Sequence, residues 1–351
     1  MMPIKIIENQ GNIFLFLVQR MRPALVTKTK KWVDNQENCY FGLHTKAAGR
    51  FLYATTKYNT RFLYIFIASV TKRIFVKKLK HITKWANMDF TLSKYQQLLI
   101  ALQQQGYQFI TFEQYCDCRD RGEALPERYI IMRHDVEALP ENSYAFAHIE
   151  YEIGIQSSYY FRVVKASNQP EYIQQIAALG HEIGYHYEDM AICNGNVEKA
   201  YSHFQEQLQY FRQFYPVRTI CMHGAPTSKW DGRELWKHYT YQSLGIIGEP
   251  YFDVDFSDVF YLTDTGRCWD GFNVSVRDKI PTYQDQWIEQ RLVYHTTDDL
   301  IHALNRGQLP KHIMITTHPQ RWADNIMAWS KELLLQSLKN IVKRLLIAAR
   351  R

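Results

Sequence analysis

From Met88 onward, short apolar runs alternate with stretches of helical period. Tyr95, Leu98, Leu99 and Leu102 recur at i, i+3, i+4 and i+7, one face of a helix, and Gly106 stops it. Residues 107–112 then alternate as a short strand does. Beyond them the pattern predicts strands over 129–132, 158–163, 183–186, 219–222, 245–247, 259–262 and 313–316. It predicts helices over 141–152, 170–179, 196–214, 232–239 and 298–305. Pro170 suits a helix start and Gly180 the position just past its end. Strands alternating with helices predict a parallel sheet covered by helices, an α/β fold. About seven strands, several with polar endings, favour closure into a (β/α) barrel.

Those endings are the informative part of the pattern. The run 130–132 stops at Arg133-His134-Asp135-Val136-Glu137. Gly180-His181-Glu182-Ile183-Gly184-Tyr185-His186 follows a helix, with Glu188 and Asp189 just after. The runs 219–222 and 312–317 stop at His223 and His318. α/β enzymes build their sites from side chains at the C-terminal ends of strands. Four such endings predict one pocket. Imidazole and carboxylate are what zinc-like ions bind, and a catalytic ion keeps a position open for water whose pKa it lowers. A further histidine can serve as general acid. The constellation reads as metal-assisted hydrolysis. Asp264, after the strand near 259–262, can bond a sugar hydroxyl, orient a histidine or cap a turn. Trp230 and Trp269 offer flat faces for a pyranose or pack in the core. Glu137 can support a metal-bound histidine or face a loop.

The charge pattern divides the chain. Residues 1–87 hold 16 Lys/Arg against Glu8, Asp34 and Glu37, a balance of +13; the rest holds 26 against 32, or −6. Residues 1–87 therefore read as a basic extension, poorly ordered, with Met88 as an alternative start of translation. No nucleic-acid motif occurs in it, so no nucleic-acid partner is expected. The apolar runs 13–18 and 62–70 are far short of the ~20 residues a membrane span needs. Leu334, Leu338, Ile341 and Leu345 predict a C-terminal amphipathic helix flanked by Lys331, Lys339, Lys343 and Arg344. Packing on the domain is its first reading and peripheral membrane contact the second, as for the basic extension. Six scattered cysteines read as reduced thiols of a cytoplasmic protein.

The segments resemble the polysaccharide deacetylase family, the NodB-type group (carbohydrate esterase family 4), in a divergent branch that opens on Arg-His-Asp-Val-Glu. The resemblance spans residues 88–329, about two thirds of the chain. It implies a distorted (β/α) barrel and a divalent metal, zinc first with cobalt or nickel as alternatives. It also implies removal of acetyl groups from N- or O-acetylated saccharides. The family's first motif is a pair of aspartates, base then metal ligand; here His134 stands at the base position and Asp135 matches the ligand. In the second motif His186 matches the first ligand histidine, but Met190 stands at the second. His223 to Asp231 occupies the place of the third motif, and Thr317-His318-Pro319 fits the last, whose histidine is the acid.

The resemblance thus implies catalytic His134 and His318 and metal ligands Asp135 and His186; the residues themselves add Asp264 to the catalytic set and His223, Glu188 or Asp189, in that order, as third ligand. Substrate contacts are expected from Arg133, Glu137, His223, Trp230 and Trp269. The competing expectation, motivated by His134 and Met190, is an inactive carbohydrate-binding or scaffold protein of polysaccharide synthesis.

Overall fold

The computed structural model divides the chain into two units, Met1–Asn87 and Met88–Arg351. It describes residues 88–225, 228–269, 275 and 278–350, with side chains as far as 341, and short strands within residues 1–54. In the first unit Ile4–Asn9 pairs antiparallel with Asn12–Leu17, and Phe41–Lys46 with Gly49–Ala54. The expectation of poor order there falls mainly on residues outside the described ones.

Among the described residues the second unit carries seven strands: β1 (Gln108–Ile110), β2 (Tyr129–Val136), β3 (Ser158–Phe161), β4 (Glu182–Tyr187), β5 (Ile220–Met222), β6 (Phe260–Thr263) and β7 (His312–Thr317). Every pairing among them is parallel, in the order β5-β4-β3-β2-β7-β6, with β1 beside the start of β2. The predicted strand at 245–247 reduces to a single bridge, Gly248 to Thr219 at the edge of β5. Among the described residues no hydrogen bond joins that edge to β6, so the sheet is an open, distorted barrel.

Around it lie α1 (Leu92–Gln104), α2 (Phe112–Arg121), α3 (Pro140–Glu152), α4 (Pro170–Ala178), α5 (Val197–Phe211), α6 (Thr297–Asn305) and α7 (Ile326–Arg350). The predicted helix at 232–239 is the 3-10 turn Gly232–Lys237. Gly180, at φ +87°, takes the left-handed turn that ends α4. No helix among the described residues is long and apolar enough to cross a membrane.

All eight residues of β2 are buried. Successive side chains of a strand point to opposite faces. Arg133 and Asp135 therefore face the barrel interior with Ser158, Tyr160, Glu182, Gly184, His186 and Cys221. Met132, His134 and Val136 face the helices. Gly184 is required because the ring of Tyr160 lies over it, where a Cβ would overlap the ring carbons. The floor of the barrel is closed by the N-terminus of α2. The Phe112 amide donates to Ser158 Oγ at 2.8 Å, and the Glu113 amide to Glu182 Oε2 at 2.9 Å. An acceptor carboxylate suits the positive end of a helix.

Candidate functional site

The interior face and the loops above it bring together most of the predicted residues. Arg133 grips Asp135 with two hydrogen bonds, Nε to Oδ1 at 2.8 Å and Nη2 to Oδ2 at 2.6 Å. His186 Nε2 lies 3.6 Å from Asp135 Oδ2. Its Nδ1 faces the Cys221 carbonyl at 3.0 Å, which only accepts, so Nδ1 carries the proton and Nε2 presents a lone pair. Burial pushes His186 down to about 4. Burial opposes charge on Asp135 as well, yet Arg133 and His186 hold it well below the usual carboxylate range.

Two histidine–carboxylate pairs face each other above this group. His318 Nδ1 donates to Asp264 Oδ1 at 2.6 Å, and Asp264 also accepts from the His318 amide, Arg321 Nη1 and Trp322 Nε1. His223 Nδ1 donates to Glu188 Oε2 at 2.9 Å, while Arg162 braces Glu188 through two bonds of 2.8 Å. Between the two rings stands Glu137. Its Oε1 lies 3.4 Å from His223 Nε2 and 3.8 Å from His318 Nε2. Burial works against the charge on Glu137, but His223 and His318 hold its pKa far down. Burial likewise works against a charged His223, but the flanking Glu137 and Glu188 carboxylates raise its pKa above the ordinary imidazole value.

Two predicted residues, His134 and Trp269, fall elsewhere. His134 lies on the outer face of β2, fully buried. Its Nε2 bonds Glu150 Oε1 of α3 at 2.8 Å, and Thr317 Oγ1 lies 2.7 Å from its Nδ1. Period-two alternation makes this unavoidable: if Arg133 and Asp135 point inward, His134 points outward. Trp269 is 3% exposed and donates Nε1 to Thr297 Oγ1 at 3.0 Å, so it packs in the core and offers no stacking face. Trp230 packs over Gly195.

His223, placed first as third metal ligand, has both ring nitrogens turned to carboxylates. Asp189 is engaged by Tyr185 and His203. The group whose donor atoms converge is instead Asp135, His186 and Cys221, all within 4.8 Å of one another. Carboxylate, imidazole and thiolate are all zinc-type donors, so the residues present fit a divalent ion. Sequence reading passed over Cys221 as one more reduced thiol. Its signal was its place two residues before His223.

No protein-family model matches the chain, and no curated protein matches it. Solved structures similar to this chain include the three that follow. The Streptococcus pyogenes deacetylase PplD, in complex with acetate, has a TM-score of 0.34 and 11% identity over 39% of this chain and 64% of its own length. Bacillus subtilis PdaA, a family 4 carbohydrate esterase, has a TM-score of 0.31 and 12% identity over 69% and 84%. The peptidoglycan deacetylase PdaC from Bacillus subtilis has a TM-score of 0.31 and 10% identity over 62% and 97%. The chain thus spans less than two thirds of PplD.

Proposed function

We propose that this chain is a metal-dependent hydrolase that removes an acetyl group from an N- or O-acetylated saccharide. The observation that carries the reading is the convergence of Asp135, His186, Glu137, His223 and His318 at the C-terminal ends of parallel strands, with both outer histidines oriented by carboxylates. Asp135 and His186 would hold the ion. A divalent ion bound there supplies a Lewis acid that polarises the acyl carbonyl.

The remaining steps belong to the chain. Asp264 accepts the His318 Nδ1–H, so Nε2 faces the pocket; the doubly protonated ring delivers its Nε2 proton to the departing amine or alcohol and returns to the neutral Nδ1–H form. Glu137, beside that nitrogen, keeps the acidic proton at the pocket mouth. His223, held by Glu188, lies where charge develops on the acyl oxygen. The test is acetate release from acetylated chito-oligosaccharides and O-acetylated sugars by zinc-loaded protein. His318→Ala should slow it with metal content unchanged.

One observation favours the rival reading of a non-catalytic saccharide binder. Arg133 already places a positive charge against both oxygens of Asp135. Protein that recruits no Zn²⁺, Co²⁺ or Ni²⁺ yet binds saccharide would decide for it.

A further inference from the structure

The parallel register of β4 and β5 sets Cys221 directly beside His186. Both side chains therefore leave the sheet on its interior face. The Cys221 carbonyl accepts the His186 Nδ1–H at 3.0 Å. One residue thus presents a thiol to the pocket and fixes the imidazole next to it. The thiol is fully buried and donates a long hydrogen bond of 3.7 Å to the Met222 carbonyl. A second sign of a polar ligand lies in the same place. Arg133 Nη1 is buried without a hydrogen-bond partner, although the other guanidinium nitrogens bind Asp135. An orphaned donor of this kind calls for an explanation.

The competitors for a third ligand are engaged elsewhere, His223 by Glu188 and Glu137, Glu188 by Arg162, and Asp189 by Tyr185 and His203. We infer that Cys221 is the third protein ligand, as a thiolate, of a divalent ion held with Asp135 and His186. The inference deepens the proposed function and rests on its metal requirement. Binding forms a metal–sulfur bond and releases the thiol proton to solvent, with no change of oxidation state. A thiolate selects zinc-class ions over Mg²⁺, Ca²⁺ and Mn²⁺. Asp135 is then shared between the ion and Arg133.

The experiment is titration of the full-length, chelator-treated protein with Co²⁺, read by near-ultraviolet absorption. A thiolate-to-cobalt charge-transfer band is expected, and Cys221→Ser should lose it. Zinc-edge X-ray absorption of the unmutated protein tests the same point without a variant, with one sulfur expected at about 2.3 Å. A bound ion with no sulfur neighbour, or a band that survives in Cys221→Ser, overturns the inference while leaving metal-dependent hydrolysis intact. A thiolate-bound ion with no acetate release from any acetylated saccharide sinks the proposed function instead. Absence of metal binding sinks both.

Discussion

His134 occupies a catalytic position by family resemblance and a structural one by geometry, and the two roles give opposite experimental signatures. Its partner Glu150 is fully buried in α3 and accepts from the Tyr95 and Tyr159 hydroxyls as well, the latter at 2.5 Å. His181 Nδ1 stands 3.7 Å away. Removing one member of such a pair leaves the other charge uncompensated, at a cost of about 3–5 kcal/mol. The pKa of Glu150 gives a second route to the magnitude. Burial pushes it up, but His134 and the neighbouring donors hold it at about 2 against an ordinary 4.5. A difference of that size corresponds to about 3 kcal/mol. The folded value lies below the unfolded one, so this stability is complete above pH 4.5 and is lost as pH falls toward 2.

His134→Ala should therefore lower unfolding stability by several kcal/mol and flatten its pH dependence between 5 and 2. Bound zinc should stay unchanged. Urea denaturation followed by tryptophan fluorescence reads the first two, and metal analysis the third. A double variant, His134→Phe with Glu150→Leu, should cost less than the sum of its parts, because no charge is stranded. An unchanged midpoint together with a hundredfold or greater loss of turnover would refute the argument and return His134 to the chemistry.

Further expectations concern other parts of the barrel. His318→Ala should keep its metal and lose roughly 10²–10⁴ in turnover, the usual worth of a positioned acid; loss of metal would place His318 among the ligands. Gly184→Ala forces a methyl into the Tyr160 ring and to 3.1 Å from the Thr219 carbonyl, and should cost about 1–3 kcal/mol in urea; an unchanged midpoint would mean the ring is not where it is described. Burial raises Glu249 to about 7, so its ionisation costs stability that is absent below pH 4.5 and grows as pH rises through 7. Glu249→Gln should then lose less stability than the parent between pH 5 and 8, and parallel pH profiles would contradict this.

The strand–helix alternation and the polar strand endings were legible in the sequence because each is local. An apolar run, its period and its last residue lie within a few positions of one another. The same locality explains what was missed. His134 and Asp135 are neighbours in sequence and stand on opposite faces, which pattern reading allows but family resemblance obscured. Glu150 gave no signal, because a carboxylate on a helical stretch reads as a solvated charge until the helix is docked against β2. Cys221 needed the β4–β5 register, and register is a long-range property that no single strand encodes. Trp269 could not be placed without knowing that Thr297 waits beside it.

A central strand buried on both faces is an unfavourable place for Arg133, His134 and Asp135 in succession, since a buried charge without a partner is expensive. The chain meets the difficulty by giving each face its own compensation. Inward, Arg133 neutralises Asp135 through two short bonds, and His186 approaches the same carboxylate. Outward, His134 bonds Glu150, which two tyrosine hydroxyls also satisfy. The outer group is closed, with the Glu150 carboxylate fully engaged. The inner group is open, with a lone pair on His186 Nε2, an orphaned donor on Arg133 and a thiol within reach. Polar networks that exist for stability are satisfied within the protein, whereas those that exist for chemistry leave groups for a ligand to complete. By that criterion the inner face of β2 is where a ligand belongs, and the outer face is what allows so polar a strand to be buried at all.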